Sequence, residues 1–116
     1  PFATACGLTR LPGKIMIEEP AVQELAFAVV REIFALAEAK GVPLPADALQ
    51  SRMDMLNNFA NAKPSMLLDL EAGKRIELEG LQGAVVRMGA EFGVPVPVSQ
   101  VAYAALKPYV NGPPGA

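Results

Sequence analysis

Three side chains between residues 63 and 77 have types and spacing that could line a substrate pocket. Lys63 offers a positive charge, Ser65 a hydroxyl and Glu77 a carboxylate. Ser65 follows Pro64 and opens a predicted short helix, where a hydroxyl and free backbone N–H groups can hold a carboxylate or a phosphate. The same position is typical of an N-cap serine. The two roles are compatible, because a cap residue can also face a ligand.

Glu77 stands at the predicted start of a long helix, where an acid favours the helix dipole. Alternatively its carboxylate faces the same pocket as Ser65, once a turn at Gly73 folds the chain back. Lys63 either supplies charge to the substrate or is a solvated surface lysine. Gly80 and Gly83 fall inside the predicted helix, where each costs ~1 kcal/mol relative to alanine. They would permit close packing or the approach of a ligand.

The chain contains no histidine and one cysteine, Cys6. This excludes a Ser-His-Asp triad, a Cys-His pair and a histidine-rich zinc site within the chain, and we predict no metal site. Cys6 has no activating neighbour, so we interpret it as structural. A chain without disulfides is typical of a reducing compartment, and we predict a cytoplasmic protein.

The bulk composition argues against two further classes of partner. The formal net charge is −2 and no basic stripe is present, so we predict no nucleic-acid partner. No apolar run approaches the ~20 residues that cross a bilayer, so we predict no membrane partner. The chain also lacks a glycine-rich dinucleotide fingerprint, so any chemistry must use Lys, Glu, Asp, Ser or a cofactor supplied from outside.

The elements that position these side chains are all predicted to be helices. Half of the chain is apolar, and 116 residues suffice for one domain, which we assign to residues 1–116. The pattern predicts an all-α fold of about five helices, without a sheet. They run from Pro20 to Lys40, from Asp47 to about Asn57, from Met66 to Glu71, from Glu77 or Leu78 to Phe92, and from Val98 to Lys107. The first and fourth end at similar segments, Gly41-Val-Pro and Gly93-Val-Pro, which we interpret as two glycine stops.

The segment from Lys63 to Gly83 resembles the signature of the ketopantoate reductases (2-dehydropantoate 2-reductases). The matching residues are Ser65-Met-Leu, Asp69, a short basic turn, Glu77 and Gly83. Gly93-Val-Pro-Val-Pro97 and the helix that ends at Tyr103 to Lys107 are similar to the end of that family, and Leu8 to Gly13 to the linker after its interdomain helix. The resemblance thus covers nearly the whole chain.

The resemblance implies a two-domain enzyme, of which this chain is the helical C-terminal half. An N-terminal Rossmann domain, absent from this chain, would bind NADPH. A 2-keto acid, ketopantoate in the first place, would lie between the domains and be reduced to pantoate for pantothenate and coenzyme A synthesis. Ser65 would bind substrate and Glu77 would line the active site beside the cofactor. The general-acid lysine would lie upstream of Pro1, so we expect this fragment alone to be inactive.

Several positions depart from the family pattern. Gln82 stands where the family has asparagine, Glu79 where it has aspartate, and Ala3 is the residue best aligned with an interdomain asparagine. A different 2-keto acid is therefore an alternative substrate. A second alternative is a non-catalytic helical module, whose very apolar first helix pairs with a partner or with a second copy in a homodimer.

Overall fold

The fold consists of helices throughout the range that the structure describes. The computed structural model covers residues 1–115, apart from the side chains of residues 56 and 57. Within that range seven α-helices and two 3₁₀ turns occur, and no β-strand. The α-helices are α1 (Phe2–Thr9), α2 (Ile15–Glu18), α3 (Pro20–Ala39), α4 (Ala48–Asp54), α5 (Ser65–Glu71), α6 (Gln82–Phe92) and α7 (Pro97–Leu106), and the 3₁₀ turns are Met55–Phe59 and Lys107–Tyr109. The all-α prediction is confirmed, whereas five helices was too low a number.

The long helix α3 lies at the centre of the fold, as its broad apolar surface predicts. It packs against α1, α2, α4, α6 and α7. Its solvent stripe is held by an ion pair between Arg31 and Glu24 at 2.8 Å. Glu32 instead points at the start of α7, where its carboxylate accepts the N–H groups of Val98 and Ser99 at 2.8 Å and the Ser99 hydroxyl at 2.7 Å. A carboxylate on α3 thus caps the N-terminus of α7.

The sequence pattern does not predict α1, because this helix has no polar face. Thr4, Ala5, Cys6 and Gly7 are all buried. The helix lies between two core clusters: Ala5 packs with Met16 and Ala26, while Ala3 and Leu8 pack against Met66, Ile76, Leu78 and Leu106. A short helix enclosed on all sides shows no 3.6-residue periodicity. The single-turn helix α2 is too short to show any.

The two glycine stops are confirmed by matching backbone geometry. Gly41 has φ 74° and Gly93 has φ 67°, the left-handed conformation that favours glycine. The N–H of Val42 donates to the carbonyl of Ala37, and the N–H of Val94 donates to the carbonyl of Gly89. Both bonds span six residues, as in a Schellman motif.

None of the helices in the described part of the chain is both long and apolar enough to cross a membrane.

Candidate functional site

Ser65 is the first residue of α5 and not its N-cap. The N-cap is Pro64, whose extended backbone (ψ 157°) leads into the helix, and no side chain caps this end. Ser65 is exposed, and its hydroxyl takes part in no hydrogen bond found among the described residues. The N-cap interpretation is therefore wrong, and the hydroxyl is available to a ligand.

Lys63 is exposed and belongs to a surface ion pair. Its ammonium lies 3.1 Å from both carboxylate oxygens of Glu71, on the last turn of α5. This pair closes the loop before Ser65 onto the helix that follows it. The role of a charge supplied to the substrate receives no support from this geometry.

Residues 76–81 are not helical, and the last four of them form a turn before α6, although a helix beginning at Glu77 or Leu78 was predicted there. Leu78 is fully buried, and its carbonyl accepts the N–H groups of Leu81 at 3.3 Å and Gly83 at 2.8 Å. The helix α6 begins only at Gln82. The burial of Leu78 and the contacts of Glu79 outweigh local helix propensity here. Glu77 therefore does not sit at a helix start, and the interpretation as a dipole-stabilising acid is wrong.

Glu79 is held by groups from two helices. Its carboxylate accepts the Tyr103 hydroxyl at 2.5 and 2.9 Å and the Lys107 ammonium at 2.8 Å. Arg87 donates to the Glu79 carbonyl at 2.7 Å. The hydrogen bonds from Lys107 and Tyr103, together with the charges of Lys107 and Arg87, hold the pKa of the Glu79 carboxyl below its usual range. Glu79 is thus an ionised anchor that ties the turn to α6 and α7.

Glu77 is exposed, and its side chain folds over Gly80. Its Oε1 lies 3.0 Å from the place where a Cβ on Gly80 would be. Over the described part of the chain, the Glu77 carboxylate has neither an ion-pair partner nor a hydrogen-bond partner. Two glutamates separated by one residue therefore differ sharply, since one is saturated and the other is open to a ligand.

The structure brings the surroundings of Ser65 and Glu77 together through the core. Each residue directly precedes a member of one buried cluster, Met66 in the first case and Leu78 in the second. The twelve-residue separation is closed by α5 and the turn at Gly73, which has φ 69°. The chain therefore folds back as expected, whereas a pocket shared by Ser65 and Glu77 stays a prediction.

A cavity of about 310 Å³ opens beside the turn, between α1, α3 and α6. Gly80, the residue under the Glu77 carboxylate, contributes to its wall. The three buried polar residues of the described chain, Thr4, Gln82 and Ser99, line it as well. The remaining walls are mostly apolar. Such a cavity suits a small, partly apolar molecule.

The Gln82 side chain lines this cavity and forms a hydrogen bond with Thr4 on α1. Its Nε2 donates to the Thr4 hydroxyl at 3.0 Å and approaches the Met66 sulfur at 3.7 Å, whereas its buried Oε1 has no partner within the described residues. The sequence showed Gln82 only as a departure from a family pattern. Its position four residues after Leu78, on an apolar stripe, is the signal of a buried amide that could have identified it.

Cys6 is completely buried on α1. Burial raises the pKa of its thiol to about 11, so it is protonated and unreactive near neutral pH. This agrees with its interpretation as a structural residue.

Comparisons with known proteins identify the family of this chain. The family model described as the C-terminal part of ketopantoate reductase PanE/ApbA matches residues 1–110. A 2-dehydropantoate 2-reductase of Archaeoglobus fulgidus is 32% identical over 100 residues, covering 86% of this chain and 32% of the relative. One of Pyrobaculum aerophilum is 29% identical over 100 residues, covering 86% of this chain and 36% of the relative. The chain thus spans about a third of the length of these relatives.

Solved structures match in the same way. A PanE/ApbA family ketopantoate reductase from Ralstonia eutropha superposes with a TM-score of 0.81 at 31% identity, over 91% of this chain and 36% of the other. A dimeric ketopantoate reductase from Staphylococcus aureus gives a TM-score of 0.85 at 21% identity, over 93% of this chain and 38% of the other, which shows the shared fold. The chain belongs to the family of ketopantoate reductase C-terminal domains.

Proposed function

We propose that this chain is the substrate-side domain of an NADPH-dependent 2-keto-acid reductase. The substrate that we propose for the complete enzyme is ketopantoate. In the complete protein a Rossmann domain upstream of Pro1 binds NADPH, and the keto acid lies between the two domains. The observation that carries the proposal is the pair of neighbouring carboxylates: Glu79 is fully engaged, whereas Glu77 is held in place yet open, beside a cavity. Family membership gives this arrangement its chemical setting.

The chemistry divides between cofactor and protein. Bound by the other domain, NADPH would supply the hydride that reduces the ketone of the substrate, and a proton would be required at the former ketone oxygen to give the 2-hydroxy acid. We assign the proton donor to a lysine upstream of Pro1. Ser65 donates a hydrogen bond to the substrate, and Glu77 lines the active site next to the cofactor. These roles rest on the family resemblance and on the open hydroxyl and carboxylate described above.

A second 2-keto acid is the alternative substrate, and Gln82 favours it. The longer amide replaces the asparagine of the family pattern, lines the cavity and leaves its Oε1 unpaired among the described residues. A changed cavity wall would accept a substrate with a different side chain. The reduction step itself would be the same.

We propose that this domain pairs with a second copy of itself in a homodimer. Val101 is 68% exposed and lies in an apolar depression with Leu8, Leu25 and Pro97. The Staphylococcus aureus relative is described as dimeric. Sedimentation equilibrium of the wild type and of Val101→Lys tests this, and a monomeric wild type would contradict it.

Activity measurements on the two-domain protein test the proposed function. We expect NADPH oxidation with ketopantoate or another branched 2-keto acid, and none from residues 1–116 alone. Ser65→Ala should weaken substrate binding by about 1–3 kcal/mol, roughly a 5- to 150-fold rise in KM, if it leaves a buried substrate group unpaired. Ser51→Ala, an exposed serine on α4, is the matched control. Unchanged kinetics in Ser65→Ala would remove Ser65 from the site.

Glu77→Gln provides the test of the open carboxylate. It keeps the size of the side chain but removes its charge, so we expect lower kcat/KM in the two-domain protein. Glu91→Gln makes the same change at an exposed position on α6 and should leave the kinetics unchanged. Equal activity in the two variants would rule out a role for Glu77.

A further inference from the structure

Gly80 gives the Glu77 side chain a place to lie. A methyl group on Gly80 would stand 3.0 Å from the Glu77 Oε1, 3.6 Å from its Cγ and 3.7 Å from its carboxyl carbon. The first distance is shorter than ordinary van der Waals contact. A side chain at position 80 would therefore require the Glu77 carboxylate to shift by a few tenths of an ångström.

Gly83 likewise leaves room for the Glu79 side chain. A methyl group on Gly83 would stand 2.8 Å from the Glu79 Oε1, 3.1 Å from the Tyr103 ring and 3.2 Å from the Arg87 guanidinium. These are the groups that hold the Glu79 carboxylate. The segment from Glu77 to Gly83 thus contains two carboxylates, each lying over a glycine, and the second is locked by donors from α6 and α7.

The residues on both sides of Glu77 are buried and hold the backbone at Glu77 in place. Leu78 is fully buried, and Ile76, on the other side of Glu77, is 5% exposed. The N–H of Ile76 donates to the carbonyl of Val110 at 3.2 Å. The Glu79 carboxylate in turn binds Tyr103 on α7 and Lys107. The chain is thus held on both sides of Glu77.

We propose that Glu79, with Tyr103 and Gly83, is a positioning residue for Glu77 in the reductase active site. This rests on the proposed function, because it requires Glu77 to face substrate or cofactor. Glu79 itself touches neither, since its carboxylate is occupied by Tyr103 and Lys107. Its effect on the reaction passes through the orientation of the Glu77 carboxylate.

A positioning role and a merely structural role predict different kinetics. The Glu79 side chain is 43% exposed, and exposed ion pairs contribute little to folding. A structural role would therefore leave the activity of the folded protein nearly unchanged. A positioning role predicts a large loss of rate, because small displacements of an active-site group cost about 10- to 100-fold in rate.

A double-mutant cycle in the two-domain protein tests this. We expect Glu79→Gln to lower kcat by about 10-fold or more with little change in KM. Added to Glu77→Gln, it should cause no further loss, because the group that it positions has already been altered. Glu24→Gln, which removes the exposed Arg31 pair of α3, is the control for loss of a surface ion pair.

The outcomes separate the two proposals. Independent losses that multiply in the double variant would overturn the positioning role and leave the proposed function standing. A Glu77→Gln variant with full activity would overturn the positioning role, because Glu77 would then have no role to support, and would leave the reductase function standing. A two-domain protein that reduces no 2-keto acid with NADPH would overturn the proposed function itself. Normal kinetics in Glu79→Gln alone would also overturn the positioning role.

Gly80→Ala gives an independent test if Glu79→Gln folds poorly. The methyl group should displace the Glu77 carboxylate and lower kcat in the wild type. In a Glu77→Ala background there is no carboxylate to displace, so the same substitution should have no effect. A loss of equal size in both backgrounds would contradict the proposal. Amide exchange of Leu81 and Gly83, whose N–H groups donate to Leu78, should accelerate in Glu79→Gln and report the loosened turn directly.

Discussion

The turn from Ile76 to Gly83 and the segment from Gly41 to Asp54 both connect or begin helices, but they are held very differently. The turn contributes Ile76, Leu78 and Gln82 to the buried interior. In the segment from Gly41 to Asp54 no residue is buried. Its apolar side chains Val42 and Leu44 are 48% and 43% exposed. The molecule therefore fixes one segment by tertiary contacts and the other mainly by local backbone geometry.

This difference indicates where a site can be built. A binding or catalytic group must be held within a fraction of an ångström by its surroundings. Glu77 meets that condition because both of its neighbours, Ile76 and Leu78, are buried, and Glu79 is tethered to α7. A polar residue such as Asp47, in the segment before α4, has no such support. The open carboxylate of the turn is thus better suited to chemistry than any acid of the looser segment.

The largest effect that we expect comes from Leu78→Ala. Leu78 is fully buried in the cluster with Met66, Ile76 and Leu106. Its truncation should lower the free energy of unfolding by about 2–5 kcal/mol, through lost burial and the cavity left behind. Urea denaturation measures this. Leu44→Ala, at a leucine that is 43% exposed, should change it by no more than about 0.5 kcal/mol. Equal losses in the two variants would remove the contrast between the segments.

The same contrast explains what the sequence can and cannot predict. α3 follows from its own residues, because Pro20 starts it and Gly41 stops it, and the prediction matches the structure. The start of α6 cannot be predicted from its own residues in this way. The pattern placed it at Glu77 or Leu78, but the helix begins at Gln82, since the Glu79 carboxylate is bound by Tyr103 on α7 and by Lys107 on the 3₁₀ turn after α7. No local pattern contains those contacts.

The candidate site is divided in the same way. Glu77 could be selected from its type and spacing, yet its open state depends on Gly80 beneath it and on the anchor beside it. The bond between Gln82 and Thr4 joins residues that lie 78 positions apart in the chain, and no local pattern reveals it. The residue types were predictable, and their partners required the fold.

A smaller effect should be the same at the two glycine stops, which follow α3 and α6. Gly41 and Gly93 have φ of 74° and 67°, and no atom lies within 4 Å of a Cβ built on either. Alanine at each position should cost about 1–2 kcal/mol, from left-handed backbone strain alone. Thermal denaturation of Gly41→Ala and Gly93→Ala measures this. A much larger loss in Gly93→Ala would mean that the second stop depends on packing and not on backbone conformation.

The anchor at Glu79 should make the stability of the turn depend on pH. The pKa of this carboxyl is lowered from 4.5 in the folded chain, first by the Lys107 and Tyr103 hydrogen bonds and then by the charges of Lys107 and Arg87. A lowered pKa stabilises the fold fully above the unfolded value, and this contribution is lost as the pH falls through the folded value. The difference in Tm between wild type and Glu79→Gln should therefore be constant near neutral pH and shrink below pH 4.5. A difference that persists in acid would show that Glu79 stabilises by packing instead of charge.

The smallest effect is expected at Asp47, where the loose segment enters α4. Asp47, where the second predicted helix begins, occupies the N-cap position of α4, but its side chain accepts no cap hydrogen bond. A working N-cap contributes about 1 kcal/mol, so Asp47→Ala should cost less than about 0.5 kcal/mol, the range of ordinary surface substitutions. Chemical denaturation of Asp47→Ala beside Glu32→Gln measures this. Glu32 caps α7 with three hydrogen bonds, so its variant should lose clearly more. A larger loss in Asp47→Ala would mean that α4 is fixed by its cap in solution, and the two segments would then differ less than their burial indicates.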